Sequence, residues 1–222
     1  QITKAMELVA ASKMRKASEG IERSKPYFNI LHETLEDIAK DNKDFSSVFT
    51  REREGKTCHI VIAGDRGLAG GYNNNIFRSA MTVLRDNDLV IPIGKRAAEY
   101  YTHHSNIVTR EFNSVEKFTS EESAKVAETA RNMFDEGKIS AVTLIYTRFE
   151  SMLSQSPDIT YLLPLEKGRN RKGNAQEAEK TEGAQALVEY EPNPEEVLAA
   201  VIPEYISGVL YSSVAESYAS EL

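Results

Sequence analysis

Two groups of residues in this chain could do chemistry. The first is the glycine-rich turn Gly64-Asp65-Arg66-Gly67-Leu68-Ala69-Gly70-Gly71, which follows a β-rich run and precedes a helical one. In that position backbone N–H groups can cradle a phosphate, as they do in dinucleotide-binding sheets. The spacing does not fit G-x-G-x-x-G, and no Gly-Lys-Ser/Thr follows to make a P-loop. The structural reading is that glycines let the chain turn tightly and bring a helix close to a strand. Asp65 and Arg66 inside it could be a catalytic carboxylate–guanidinium pair, but such neighbours more often form an ion pair or steady a turn. Asp65, Arg66, Gly67, Gly70 and Gly71 are therefore assigned to a structural turn. A stand-alone α/β enzyme that binds a nucleotide or phosphate at Gly64 to Gly71 is the alternative.

The second group holds the possible nucleophile and metal ligands: Cys58, His32, His59, His103 and His104. One cysteine cannot make an internal disulfide, and the histidines lack zinc-ligand spacing. No Ser/His/Asp or Cys/His arrangement can be assembled from sequence proximity. All five are expected in packing or at the surface. No catalytic residue, metal or cofactor is expected, and a lone cysteine fits a reducing compartment.

The strongest local pattern lies elsewhere. Residues Ile2 to Ala17 carry no Gly or Pro, are built of strong helix formers, and set Lys4, Lys13, Arg15 and Lys16 around an apolar rod. That is a helix for touching other surfaces. The net charge of -7 hides a polarity along the chain. Six basic residues against three acidic ones occupy positions 1–25, whereas positions 175–222 hold ten glutamates and only Lys180. The two ends should attract each other, with salt screening the exposed pairs. A nucleic-acid or membrane-surface binder is the weaker reading of the basic helix, because no aromatic residues lie among its charges.

The positioning elements follow from periodicity. A first helix is expected from Ile2 to about Asp41, with Ala17, Ile21, Ser24, Phe28, Leu31, Leu35 and Ile38 as a heptad seam and a kink at Pro26. Asp41 to Lys56 reads as a polar linker. Thr57 to Ala63 is a strand, and Asn73-Asn74-Asn75 can cap a helix to about Arg85, with Ile76, Phe77, Ala80, Met81 and Leu84 inward. Leu89 to Ile93 is a strand that Pro92 confines to an edge or an end. A short helix from Lys95 to Tyr101 and a strand at Asn106 to Val108 follow. Thr119 and Glu122 make a capping box for a helix to about Glu136. Ala141 to Tyr146 and Ile159 to Leu163 are strands, and Glu166 to Ala184 is a charged mobile loop. A last helix opens at Asn193-Pro194-Glu195-Glu196, with a break at Pro203. No run of about 18 consecutive apolar residues is present, so no bilayer-spanning segment is expected. With 27% charged and 41% hydrophobic residues, the balance is that of an ordinary folded domain.

Four blocks resemble, in order, the gamma subunit of rotary proton-translocating ATP synthases. They are the opening basic helix, the turn Asp65 to Asn73, the run Phe149 to Gln155 with Leu162-Leu163-Pro164-Leu165, and Tyr190-Glu191-Pro192-Asn193-Pro194. Ala69 stands where the family usually has cysteine, and the lone Cys58 departs from the plastid subtype with its redox pair. Gamma subunits usually begin before a residue matching Gln1 and continue past one matching Leu222, so a bacterial-type chain truncated at both ends is the expectation.

The resemblance implies a non-catalytic central-stalk rotor that transmits torque between the membrane ring and the catalytic subunits, with no cofactor. It implies a catalytic-ring interface at Lys4, Lys13, Met14 and Arg15, and a membrane-ring interface at Tyr190 and Glu191. The partners it implies are the alpha and beta subunits of the catalytic ring, the epsilon subunit and the c-subunit ring, at the cytoplasmic face of a bacterial cell membrane. No nucleic acid is expected. The fold expected is α/β: a Rossmann-like central domain with a mainly parallel sheet, flanked by long N- and C-terminal helices in an antiparallel coiled coil. The divisions are 1–45 for the first shaft helix, 55–165 for the central domain, 166–188 for the loop and 189–222 for the start of the second shaft helix.

Overall fold

The computed structural model describes residues 11–12, 15, 19, 26, 30–31, 33–35, 38, 47–67, 71–103, 106–151, 154–165 and 193–222. Among them, β1 (Thr57–Ile62), β2 (Leu89–Ile93), β3 (Ala141–Ser151) and β4 (Ser154–Leu163) form one mixed sheet in the order β2-β1-β3-β4. β1 pairs in parallel with β2 and with β3, and β3 pairs antiparallel with β4. β1 is buried on both faces: Cys58, Ile60 and Ile62 enter one core, and Val61 enters the other, followed by Ala63 just past the strand.

One face carries α1 (Tyr72–Met81) and α2 (Lys95–Tyr101), which bury Ile76, Phe77, Ala80, Ala97 and Tyr101 against Val61, Val90 and Ile145. The other carries α3 (Ser120–Asp135) and α4 (Pro194–Glu221), whose Phe134, Leu198, Ile202 and Ile206 share a larger core with Ile60, Ile91 and Leu144. The helical residues described between 11 and 38 reach this same core through Leu35 and Ile38, both fully buried, with Leu31 packed against it.

Two of the three expected N-caps form, those at Thr119 and Asn193. Thr119 Oγ1 accepts from Glu122 N at 3.1 Å while Glu122 Oε2 accepts from Thr119 N at 2.8 Å. Asn193 Oδ1 accepts from Glu196 N at 2.9 Å, and Pro194 opens the first turn. Pro92 lies in β2, the strand at one edge.

Several expectations are corrected. The sheet is not a simple βα alternation to its end. Only two residues separate β3 from β4, far too few for a crossover, so the pair is an antiparallel hairpin. Ile107 makes a single parallel bridge to Val90 rather than a strand. The asparagines at 73–75 do not cap α1: its N-cap is Gly71, the helix ends at Met81, and Met81 is 69% exposed.

α4 runs unbroken through Pro203, because Ile202, Tyr205 and Ile206 pack on either side of it and outweigh the lost backbone bond. By length and composition α4 is apolar enough to cross a membrane, although no such segment was expected; its apolar stripe lies on the sheet.

The described part of the polar linker is also a packed segment. Phe49 is buried and stacks on Phe134 at 6.1 Å between centroids. The Arg53 guanidinium lies 4.3 Å over the Phe134 ring and donates to Phe134 O at 2.8 Å.

Candidate functional site

In a sheet of this order the connection from β1 goes to one side, to β2, while β3 lies on the other. Open α/β sheets bind ligands in the crevice that such a reversal leaves at the carboxyl ends of the strands. Here the glycine-rich turn leaves β1 at that point, and the chain's own side chains fill the crevice.

Asp65 is the hub of the turn. Its carboxylate accepts from the backbone N–H of Lys95 and of Val115, each at 3.0 Å, from the Ser114 hydroxyl at 2.7 Å and from Glu116 N at 3.3 Å. It therefore ties the end of β1 to the start of α2 and to the loop at 114–116. Of the two structural roles open to Asp65 and Arg66, the carboxylate takes the turn-stabilising one.

Asn73, expected as a helix cap, instead braces the same turn. Its Oδ1 accepts from Gly64 N at 2.8 Å and its Nδ2 donates to Arg66 O at 3.2 Å. Gly67 leaves room for the Arg96 side chain, which would lie within 2.3 Å of a Cβ there. Gly71 provides the N-cap of α1. Gly70 lies outside the described residues.

One further donor of the turn is answered by α4. Glu221 Oε1 accepts from Arg66 N. A Cβ on Gly64 would come within 2.5 Å of that same oxygen, so glycine is what admits the carboxylate. The position where a phosphate would sit in a nucleotide-binding sheet is thus held by an internal anion. Sequence inspection gave no sign of Glu221, because 155 residues separate it from Arg66.

A second polar cluster was also invisible in the sequence. His59 Nε2 lies 3.1 Å from Asp88 Oδ2 and His59 Nδ1 lies 2.6 Å from Thr143 Oγ1. Asp88 also accepts from Thr57 N at 2.8 Å and from Arg85 N at 2.9 Å. An Asp–His–Thr chain has the composition of a catalytic relay, and no such arrangement was legible in the sequence.

Its chemistry is nevertheless structural. The His59 and Asp88 side chains are 2% and 4% exposed, which leaves a substrate no access. Burial pushes the imidazole pKa down against the pull of Asp88. Burial would raise Asp88, but the hydrogen bonds from Thr57 N–H, His59 and Arg85 N–H outweigh it and hold the carboxyl low. An ionised Asp88 only accepts, so Nε2 carries the proton and Nδ1 accepts from the Thr143 hydroxyl. Cys58, on the other face, is fully buried, and burial first and Asp88 second push its thiol up to about 12. Neither it nor His59 is available as a nucleophile or base.

The residues expected at interfaces are mostly beyond what is described. Lys4, Lys13 and Met14 lie outside the described residues, as do Tyr190 and Glu191. Arg15 is exposed on a helical turn, with its Nε 3.7 Å from Glu19 one turn on. Among the described residues no group of three or more His, Cys, Asp or Glu side chains could hold a metal ion.

The family model for ATP synthase matches residues 1–222. The ATP synthase gamma chain of Alkaliphilus metalliredigens is 36% identical over 225 residues, covering the whole of this chain and 76% of its own. That of Ruminococcus albus is 38% identical over 229 residues, again over the whole chain and 76% of the relative. A gamma chain described as sodium ion specific, from Acetobacterium woodii, is 32% identical over 234 residues. Among solved structures, one chain from the structure of the central stalk and c-ring of Tetrahymena thermophila mitochondrial ATP synthase superimposes with a TM-score of 0.64 at 22% identity. The match spans all of this chain and 94% of that one, and it speaks for the fold alone.

Proposed function

This chain belongs to the gamma-chain family of ATP synthases, and on that footing we propose how its parts divide the work of a rotor. The chain is a non-catalytic central-stalk subunit that transmits torque between an ion-driven membrane ring and catalytic subunits. The observation that carries the non-catalytic reading is the filled crevice. Glu221 holds the donor of the glycine turn that a nucleotide phosphate would need, which counts against the alternative enzyme at Gly64 to Gly71.

The finer assignments are inferences. The basic face at Lys4, Lys13, Met14 and Arg15 meets acidic surfaces of the alpha and beta subunits inside the catalytic ring. Tyr190 and Glu191 meet the polar loops of the c-subunit ring, with the epsilon subunit docked on the globular part. Residues 1–45 form one shaft helix, 55–165 a Rossmann-like domain, 166–188 a connecting loop, and 189–222 the start of a second shaft helix in an antiparallel coiled coil with the first. The burial of Leu35 and Ile38 in one core with Leu198 and Ile202 supports that pairing. The complex is membrane-associated, and this subunit lies peripherally on the cytoplasmic face of a bacterial cell membrane.

Co-purification tests the reading. The tagged chain, expressed with the catalytic-ring subunits, should come off an affinity column in a stoichiometric complex with them. Calorimetry with ATP or inorganic phosphate on the chain alone should give no binding heat. A chain that binds nucleotide and ignores the ring would return the enzyme alternative to first place.

A further inference from the structure

α4 changes chemistry along its length. From Leu198 to Val214 the side chains it buries are largely apolar, including Leu198, Ile202, Ile206, Leu210 and Val214. Over its last two turns they become small or polar, with Ser217, Ala219 and Ser220. Those turns lie beside a gap in the sheet. The ladder between β1 and β3 ends at Val61 and Ile145, yet β3 continues to Ser151. On the edge that faced β1, backbone donors of that stretch have no strand beside them, while β4 continues to cover the opposite edge. Ser217 Oγ accepts from Thr147 N at 3.3 Å, and Glu216 Oε2 accepts from Phe149 N at 3.3 Å. Tyr72, at the start of α1, donates its hydroxyl to Ser217 O at 2.7 Å. Glu221 then reaches the turn after β1, as described above. The end of the helix takes the place of the missing strand.

We propose that this set of contacts, Glu216, Ser217 and Glu221 on α4 against Thr147, Phe149, Tyr72 and Arg66, is the joint that locks α4 against rotation relative to the sheet. The proposal rests on the rotor reading above. Its physical basis is directionality. Apolar side chains packed on a sheet resist separation but have no preferred azimuth beyond shape, whereas hydrogen bonds weaken steeply with misalignment. Three acceptors at different azimuths on the last two turns, two held by backbone donors of β3 and one by a donor of the turn after β1, fix the angle of the helix about its own axis. Torque that enters the globular layer would pass into α4 here. In this role Glu216 and Glu221 are positioning residues.

The test uses the chain assembled with the catalytic and membrane sectors in sealed vesicles. The double variant Glu216→Ala/Glu221→Ala removes two acceptors. Glu216→Gln/Glu221→Gln keeps an oxygen at the same reach without the charge. Gly64→Ala leaves both acids in place and pushes the Glu221 carboxylate off its donor. The alanine pair and Gly64→Ala should still assemble and hydrolyse ATP, while ions pumped per ATP fall. The glutamine pair should pump like the parent. Because Gly64→Ala reaches the contact from the other side, a folding defect in the alanine pair does not remove the test. Parental pumping in both the alanine pair and Gly64→Ala, or equal loss in the glutamine pair, would overturn the joint. Failure of the parent itself to assemble with the ring would instead sink the rotor reading.

Discussion

His59 sits in a polar chain sealed from water, and that placement makes the chain sensitive to mild acid. The unfolded imidazole titrates near its ordinary value of 6.5, and burial holds the folded one lower. Between those two values the unfolded chain carries the extra proton. The contribution of His59 to stability is therefore complete above the unfolded value. It declines as pH falls through the window, by at most about 1.4 kcal/mol per pH unit for one proton. Asp88 acts lower down. Its depressed folded pKa gives stability that persists above the ordinary carboxylate range and is lost as pH falls through it. Urea unfolding followed from neutral to mildly acid pH should show the first loss in the parent. His59→Gln should remove that part of the slope; an unchanged slope would mean that other groups produce it. Cys58 gives a second measurement at this scale. With its thiol buried and pushed up to about 12, the folded chain should react with an aromatic disulfide reagent only as fast as it unfolds. Prompt labelling under native conditions would contradict the packing of β1.

The elements depend on two positions where the backbone, rather than the side chain, is decisive. Gly94 closes β2 onto α2 with φ +92, and a Cβ there would sit 1.9 Å from Ala63 O. Nothing can yield on the strand side, because Ala63 N already donates to Ile93 O at 3.0 Å. Gly94→Ala should cost on the order of 4 kcal/mol or prevent folding. Gly137, with φ +71 and nothing within 4 Å, carries only the conformational penalty. Gly137→Ala should cost about 1–2 kcal/mol. Urea midpoints of the two variants give the contrast, and similar losses would show that space at Gly94 is not the issue. On the N-terminal helical residues, Leu35 is fully buried and Ile30 is 62% exposed. Leu35→Ala should cost about 2–5 kcal/mol, whereas Ile30→Ala should stay within about 0.5 kcal/mol. Equal losses in thermal unfolding would place Ile30 in a contact that the described residues do not contain. Phe28, on the same heptad seam as Leu35, lies outside those residues.

At the scale of the whole molecule, the basic N-terminal face and the glutamate-rich C-terminal part make the chain electrically polar. Exposed charges of this kind act through complementary fields and on-rates more than through stability. The triple variant Lys4→Glu, Lys13→Glu and Arg15→Glu should therefore leave the isolated fold intact, with an unchanged thermal midpoint. It should weaken assembly with the catalytic ring or its coupled turnover, and more so at low salt, where screening is weakest. Assembly and coupling equal to the parent at both low and physiological salt would show that this face does not meet the ring. The joint at the end of α4 is a separate matter, since it governs transmission after assembly rather than assembly itself.

The sequence by itself determined whatever is local or periodic. The capping box at Thr119 and Glu122, the Asn193-Pro194 opening of α4, the apolar run of β1 and the edge position of Pro92 all follow from neighbouring residues and their backbone preferences. Four ordered blocks were enough to point to the family. What only the tertiary structure decided depends on residues far apart in the chain. The continuation of α4 through Pro203 follows from packing, which outweighs a local cost. The antiparallel turn of β4 follows from the two-residue connection, which shows itself only once both strands have their full length. The Asp88–His59–Thr143 chain and the Glu221 contact join residues 29 to 155 positions apart, each individually unremarkable. Short-range propensity carries no information about such contacts. They exist because folding brings backbone donors of a sheet and its turns, which burial forbids to stay unpaired, to whichever side chain lies beside them.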